Sequence, residues 1–454
     1  MIRHPAFEVE PWTLRETALD LERLAQTESV FALSNGHIGL RGNLDEGEPN
    51  GLPGTYLGGF WEARTLPYAE PGYGDPEQGQ AVVNVTNGKI IRLLVGDSPF
   101  DVRYGTLSHH ERVLDMREAV LRRSVEWTSP SHQSVRIRST RLVSLAQRAI
   151  AAISYEVEPV DRTVRVVLQS ELIANEQVPS AVADPRAGST PAKPLLSERH
   201  EATDTRAVLV HRTASSGLRV AAAMRHDLHG PDRMESSVET FPDIGRLMVT
   251  ASLEPGETLR IVKYLAYGWS RVRSTPALLD QVSAALSEAH LTGWDGLCSE
   301  QRKYMNAFWS RADVELEGDA ELQQACRFGL FHVVQAGARA EGRAIAAKGL
   351  TGSGYDGHAF WDTETFVLPV LTYTVPEAAA DALRWRHRTL DRARARAAQL
   401  QLDGAAFPWR TIHGEECSGY WPAGTGAFHI NADIAAAVVR YQMASGDEVF
   451  AREV

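Results

Sequence analysis

Near Ser274 the periodicity of the chain changes, and this change limits its architecture more than any other sequence feature. Before it, apolar residues recur at every second position. "SVRIRSTRLVSL" sets Val135 and Ile137 on one face and Arg136 and Arg138 on the other. "TVRVVLQSEL", "LRVAAAMRH" and "LRIVKYLAYGW" keep a similar habit. A period of two belongs to a pleated strand with one face in a core. Several such runs, separated by turn residues, predict a sandwich of antiparallel sheets. After Ser274 the interval becomes four: Leu278, Val282, Leu286 and His290 form a helical stripe. Pro276 suits the first turn of that helix, where its missing N–H costs nothing.

Helical patterns then dominate. Leu322, Cys326, Leu330 and Val333 mark the apolar side of one helix. "PEAAADALRWRHRTLDRARARAAQL" reads as a second. "NADIAAAVVRYQMASGD" reads as a third, with Ile434, Val438 and Tyr441 on one side and Gly446 as its stop. Helices of this length joined by long, chemically rich loops fit a helical barrel or bundle. A chain of 454 residues is too long for one compact core. The expected division is a β-sandwich domain over 1–270, a helical linker over 271–315 and part of a helical barrel over 316–454. About half a ring of helices is expected, since the pattern stops near Val454 without a closing element. The inner helix faces of such a half ring are expected to invite aggregation. "NEQVPSAVADPRAGSTPAKP" interrupts the strands and reads as an exposed loop.

Charge and cysteine usage narrow the function. The formal net charge is -11 and no Lys/Arg cluster stands out, which argues against a nucleic-acid or anionic-membrane partner. No apolar stretch approaches the roughly 20 residues that span a bilayer. The N-terminus "MIRHPAFEVEPWTLRE" is polar, without the pattern of a signal peptide, so a cytoplasmic location is expected. Cys298, Cys326 and Cys417 are widely spaced and follow no CxxC pattern, which predicts neither disulfide frame nor structural zinc. His358, His413 and His429 form no HxxxH or HExxH pair, so they read as hydrogen-bonded structural histidines rather than metal ligands. Cys417 has no histidine at a useful spacing and reads as a buried thiol.

Two loops carry the chemistry. "GHAFWDTETF" places Trp361 between Phe360 and Asp362, with Glu364 two residues further on. A pyranose has a polar rim and less polar C–H faces, so its site wants an aromatic plate and charged acceptors at the edge. Trp361 and Asp362 have that chemistry. A packed tryptophan at a helix start, with Asp362 or Thr363 as the cap, explains the same pair. "FPWRTIHGEECSGYWPAGTGAFHIN" repeats the theme with Trp409, Arg410, Glu415, Glu416, Tyr420 and Trp421 among glycines. Arg410 pairing with Glu415 or Glu416 is the plain structural alternative there. In the strand-rich half, Gly36, Gly39 and Gly42 read as a structural turn segment, with Arg41 binding a backbone carbonyl or an acid.

"ESVFALSNGHIGLRGN", "AFWSRADVELEGDAELQQACRFGLFH", "KGLTGSGYDGHAFWDTETFVLPVL" and "HINADIAAAVVRYQMASGDEVF" together resemble glycoside hydrolase family 65. The resemblance runs from about Phe7 to the C-terminus. It implies an N-terminal antiparallel β-sandwich, a helical linker and the first part of an (α/α)6 barrel, truncated here. It implies inverting phosphorolysis of an α-linked glucose disaccharide, trehalose- or kojibiose-type, to β-glucose 1-phosphate and glucose. Inorganic phosphate is the co-substrate, no cofactor or metal is needed, and a homodimer is left open. An acid-trehalase-like hydrolase and a non-catalytic saccharide-binding protein are the alternatives. By the resemblance, Trp361 and Asp362 belong to the glucose-binding side, and Trp409, Arg410, Thr411, Glu415 and Glu416 shape the acceptor side; Glu364, two residues past Asp362, is also expected to bind substrate. The family's general acid is the Glu of a Gly-Pro-Asp-Glu-Tyr motif. The one Gly-Pro-Asp here, Gly230–Asp232, is followed by Arg233. No residue of this chain is therefore assigned as proton donor; the acid is expected beyond Val454, and little or no turnover is expected from the chain alone.

Overall fold

The computed structural model describes residues 7–66, 72–177 and 193–454. Most of the expected loop over 175–194, and residues 1–6 of the polar N-terminus, lie outside them. Two large antiparallel sheets dominate the first half, beside a three-stranded sheet (Leu33–Ser34, Ile38–Leu40, Thr55–Leu57) and the hairpin Trp61–Thr65/Gln78–Val82. The larger has ten strands, in the order Glu8–Val9, Thr13–Glu16, Thr106–Asp115, Val120–Thr128, Ser134–Val143, Ile150–Pro159, Leu259–Ser270, Arg219–His229, Arg206–Thr213 and Leu195–Thr203. The smaller has five: Glu235–Phe241, Ile244–Leu253, Val164–Ile173, Ile91–Val95 and Ser98–Pro99.

The alternation read from the sequence is the burial pattern observed. Val135 and Ile137 are buried, while Arg136 and Arg138 lie outside and pair with Glu126 and Glu158. Leu114, Trp127, Ile137 and Tyr155 of the large sheet join Leu168 and Leu247 of the small one in a single core, each at most 1% exposed. Burying one such side chain contributes about 1.5–3 kcal/mol, which is what holds the two sheets face to face.

Helix α1 spans Leu24–Val30 and α2 spans Thr275–Ala312. The Oγ of Ser274 accepts from the N–H of Ala277 and caps α2, and Pro276 sits in its first turn. A left-handed Gly293 (φ 69°) kinks it. The segment expected as a linker is thus mostly α2, and it covers the outer face of the large sheet. Leu278, Val282, Leu286 and Leu297 pack there with Leu142, Val210, Val262 and Tyr264. This explains why those strands carry apolar residues on both faces.

Helix α3 (Ala320–Gly337) corrects the sequence reading. The stripe of Leu322, Cys326, Leu330 and Val333 is not its buried side, and Leu322 is 44% exposed. Gln323, Gln324, Arg327 and Gln335 are buried with Phe331 and Val334. Gln324 and Gln335 have partners on the strand-rich half, and Gln323 bonds to Val314 and Leu316 just ahead of the helix. Gln324 Nε2 donates to the carbonyls of Glu8 and Thr13, and Gln335 Oε1 accepts from the N–H of Ser34. Arg327 pairs with Asp313 at 2.8 Å. Amphipathicity fails as a guide here because the helix docks through hydrogen bonds.

The remaining helices are α4 (Leu368–Thr374), α5 (Pro376–Arg388), α6 (Leu390–Gln399), α7 (Trp421–Gly426), α8 (His429–Ser445) and α9 (Glu448–Glu453). The run expected as one helix is broken between α5 and α6, where Thr389 turns at φ -91°, ψ 1° and its hydroxyl donates to the Arg386 carbonyl. Leu368, Leu371, Ala379, Leu383, Ala437, Tyr441 and Phe450 form a second core. Gly446 ends α8 in the left-handed conformation (φ 64°), as its sequence position predicts. Tyr373, Val439 and Met443, on α4 and α8, line an open hollow of about 710 Å³. Among the described residues, no helix is long and apolar enough to cross a membrane.

Candidate active site

The first chemical loop leaves α3 and re-enters the helical core at α4. Tyr355 and Asp356 lie in the left-handed region (φ 54° and 57°) ahead of Gly357 (φ 75°). That conformation costs an L-residue energy and persists only where its surroundings impose it. Here the surroundings are two arginines. Asp356 is buried and pairs with Arg410 at 2.9 Å and Arg64 at 2.8 Å. Arg410 thus pairs with Asp356, not with Glu415 or Glu416 as the plain reading had it. One carboxylate joins the first loop, the second loop and the strand hairpin Trp61–Thr65/Gln78–Val82.

The loops also meet through their backbones. Ala359 and Thr411 form a two-way antiparallel bridge, with N···O distances of 2.8 and 3.1 Å. This brings the aromatic rings into one row. Phe360 stands edge-on to Trp409 at 6.4 Å, Trp409 to His429 at 6.1 Å and His429 to Trp361 at 5.0 Å. Edge-to-face contacts at such distances are favourable and fix ring orientation. His429, at the start of α8, is half exposed, and its Nδ1 lies 2.7 Å from Asp433 one turn later. Sequence reasoning reads His429 as a structural histidine; nothing local marks it, since its neighbours in the row, Trp361 and Trp409, lie far from it along the chain.

The acids divide sharply. Asp362 is exposed and helical in backbone conformation (φ -55°, ψ -31°), and its side chain makes no capping bond to the π-helical turn Thr363–Val367 that follows. The capping explanation for Asp362 therefore does not hold. Glu364 is buried and bidentate to Arg386, at 2.6 and 3.0 Å. Arg386 also donates to the carbonyl of Phe360, so this pair braces the first loop from beneath. Glu416 is buried too. Its oxygens accept from the N–H groups of Trp409 (2.6 Å), Cys417 (2.9 Å) and Ser418 (2.8 Å). Burial holds its carboxyl above the usual range, against the opposing pull of those N–H groups. Thr411 is buried with its Oγ1 accepting from Gly414 N–H. Glu364 thus spends its carboxylate on Arg386 of α5, and Thr411 and Glu416 accept from N–H groups of the second loop.

Glu415 differs from its neighbour. Its side chain is half exposed, with Arg392 at 2.9 Å, His413 at 3.1 Å and Gln80 at 2.8 Å. Burial raises its pKa, but the hydrogen bond and charge of His413, with Arg392, pull it down to about 2. Cys417 is buried, and burial pushes its thiol up, away from nucleophilic chemistry. Burial keeps His358 neutral, with Nε2 donating to the Gln80 carbonyl. Among the described residues, no group of three His, Cys, Asp or Glu side chains is arranged to hold a metal ion. The site therefore offers an aromatic row, an unengaged carboxylate at Asp362 and an ionised carboxylate at Glu415.

Two family descriptions match this chain. "Glycosyl hydrolase family 65, N-terminal domain" matches residues 14–308, and "Glycosyl hydrolase family 65 central catalytic domain" matches 327–454. The chain belongs to glycoside hydrolase family 65. Among its relatives in this family, an uncharacterized glycosyl hydrolase of Mycobacterium tuberculosis is 63% identical over 447 residues, covering 98% of this chain and 57% of the relative. An α,α-trehalose phosphorylase of Thermoanaerobacter brockii is 36% identical over 453 residues, covering 99% and 58%. A solved structure provisionally named a kojibiose phosphorylase, from human microbiome, superposes with a TM-score of 0.88 at 26% identity, covering 98% of this chain and 57% of that one. The chain thus spans somewhat over half the length of the family 65 proteins it matches. The N-terminal family match runs on through most of α2, in keeping with the packing of that helix on the sheet.

Proposed function

We propose that this chain carries the sugar-gripping part of an inverting phosphorylase for an α-linked glucose disaccharide, trehalose-type before kojibiose-type. The observation that carries the reading is the row Trp361–His429–Trp409 beside the unengaged carboxylate of Asp362. Trp361 and Asp362 hold the glucose that is transferred. Trp409, Arg410 and Glu415 border the acceptor glucose. In phosphorolysis an acid protonates the glycosidic oxygen while phosphate attacks the anomeric carbon from the opposite face, giving β-glucose 1-phosphate and glucose. Phosphate is itself the nucleophile, so no base is needed to activate water. The sequence contains no Gly-Pro-Asp-Glu-Tyr, and the proton donor stays unassigned. The preference for trehalose over kojibiose rests on the 36%-identical relative, an α,α-trehalose phosphorylase.

Calorimetry of the 454-residue chain with trehalose, kojibiose and maltose tests the reading. Trehalose should bind, and Asp362→Ala should weaken it at least tenfold, as expected for a charged hydrogen bond of about 1.5–3 kcal/mol. Absence of binding to all three disaccharides sinks the proposal. Turnover separates the alternatives: sugar release that requires phosphate marks a phosphorylase, and phosphate-independent release marks a hydrolase. Binding without turnover keeps the sugar site and withdraws catalysis from this chain.

A further inference from the structure

We propose that Gln80, on the strand hairpin of the N-terminal half, is a positioning residue that sets the acceptor-side loop and so selects among disaccharides; this rests on the sugar-site reading above. Gln80 is 4% exposed. Its Oε1 accepts the N–H groups of both Ile412 and His413 at 2.9 Å. Its Nε2 donates to Glu415 Oε2 at 2.8 Å. Its backbone carbonyl accepts from His358 Nε2 at 2.5 Å. The side chain thus fixes the second loop, while the backbone fixes the first just ahead of Trp361.

A primary amide fits this task better than any other side chain of its length, because donor and acceptor lie at opposite corners of one plane. The acceptor corner holds two backbone groups of the loop. The donor corner holds Glu415, the half-exposed acid of the Glu415–Glu416 pair. Oε2 of the Glu415 carboxylate is therefore held from a different part of the fold, while Arg392 and His413 hold the group from the helical half. Neighbouring contacts act in the same sense: Trp61 stacks obliquely on His413 at 5.8 Å, and Trp421 Nε1 donates to the Tyr73 carbonyl at 2.8 Å.

Gln80→Ala and Gln80→Glu in the full chain test the proposal, with Gln78→Ala, exposed on the same strand, as control. Gln80→Ala removes the side-chain bonds but keeps the carbonyl to His358. Amide hydrogen exchange at Ile412 and His413 should accelerate at least tenfold. Trehalose affinity should fall at least tenfold and glucose affinity by less than threefold, because glucose alone occupies the Trp361–Asp362 side. Gln80→Glu keeps an acceptor for both N–H groups but turns a carboxylate toward Glu415. It should restore exchange protection without restoring trehalose affinity. Gln78→Ala should match the wild type in both. Unchanged exchange in Gln80→Ala, or an unchanged trehalose-to-glucose affinity ratio in either Gln80 variant, overturns the proposal. Should Gln80→Ala not fold, the ratio measured for Gln80→Glu decides. A wild-type chain that binds neither sugar overturns the sugar-site reading and the selectivity claim together, and exchange then decides the anchoring of the loop alone.

Discussion

Asp362 and Glu364 are two residues apart and have opposite lives. Asp362 stands exposed without a side-chain bond, whereas Glu364 lies beneath the loop, bidentate to an equally buried Arg386. Stability measurements should separate them. Asp362→Ala touches no buried partner and should change the unfolding free energy by no more than about 0.5 kcal/mol. Glu364→Ala strands the Arg386 charge and should cost about 3–5 kcal/mol, read as a lowered urea midpoint. Equal losses in the two variants would contradict this division. Composition exposed the two loops as candidates but not the roles within them. Asp, Glu and Thr look alike in sequence whether they face solvent, an arginine or a row of N–H groups. Asp356, Gln80 and His429 were illegible for a related reason: their partners lie far away along the chain, and no spacing announces such contacts.

At the scale of elements, period-two runs became strands and period-four stripes became helices wherever burial of apolar surface drives docking. Thus α2 and α8 read correctly. The reading failed at α3, whose docking face is Gln and Arg, and at Thr389, where a single turn splits a continuous helical pattern. The Gly36–Gly42 segment is structural, as expected, and Arg41 donates to the carbonyls of Ala25, Leu52 and Thr351. Its glycines have a task beyond turning the chain. A Cβ on Gly39 would lie 2.2 Å from the Cβ of Leu350 and 2.4 Å from its carbonyl oxygen. Gly39→Ala should therefore push the first chemical loop off the short strand Ile38–Leu40, at about 1–3 kcal/mol. A melting temperature equal to that of the wild type would show that the loop yields without cost.

Across the whole molecule, two buried histidines make the fold sensitive to acid. Burial, with the nearby charge of Lys263, lowers the His226 pKa to about 3, and burial lowers that of His332 to about 4. His226 is held neutral, its Nδ1 donating to Thr205 and its Nε2 accepting from Ser170. Both folded values lie below the unfolded value near 6.5, so the unfolded chain binds more protons. The stability from these two groups is complete above about pH 6.5 and is lost as the pH falls toward 4 and then 3. Thermal melts at pH 7.5 and pH 4.5 should show the lower midpoint in acid, and His226→Gln should narrow the gap. An unchanged gap would assign acid sensitivity elsewhere. The Arg64–Asp356–Arg410 triplet has an engineering consequence. A chimaera that exchanges helical halves between two homologues inherits a carboxylate clasped by guanidinium groups from both parents. Such a graft should keep its shape only if the donor and recipient hairpins match at positions 64 and 80.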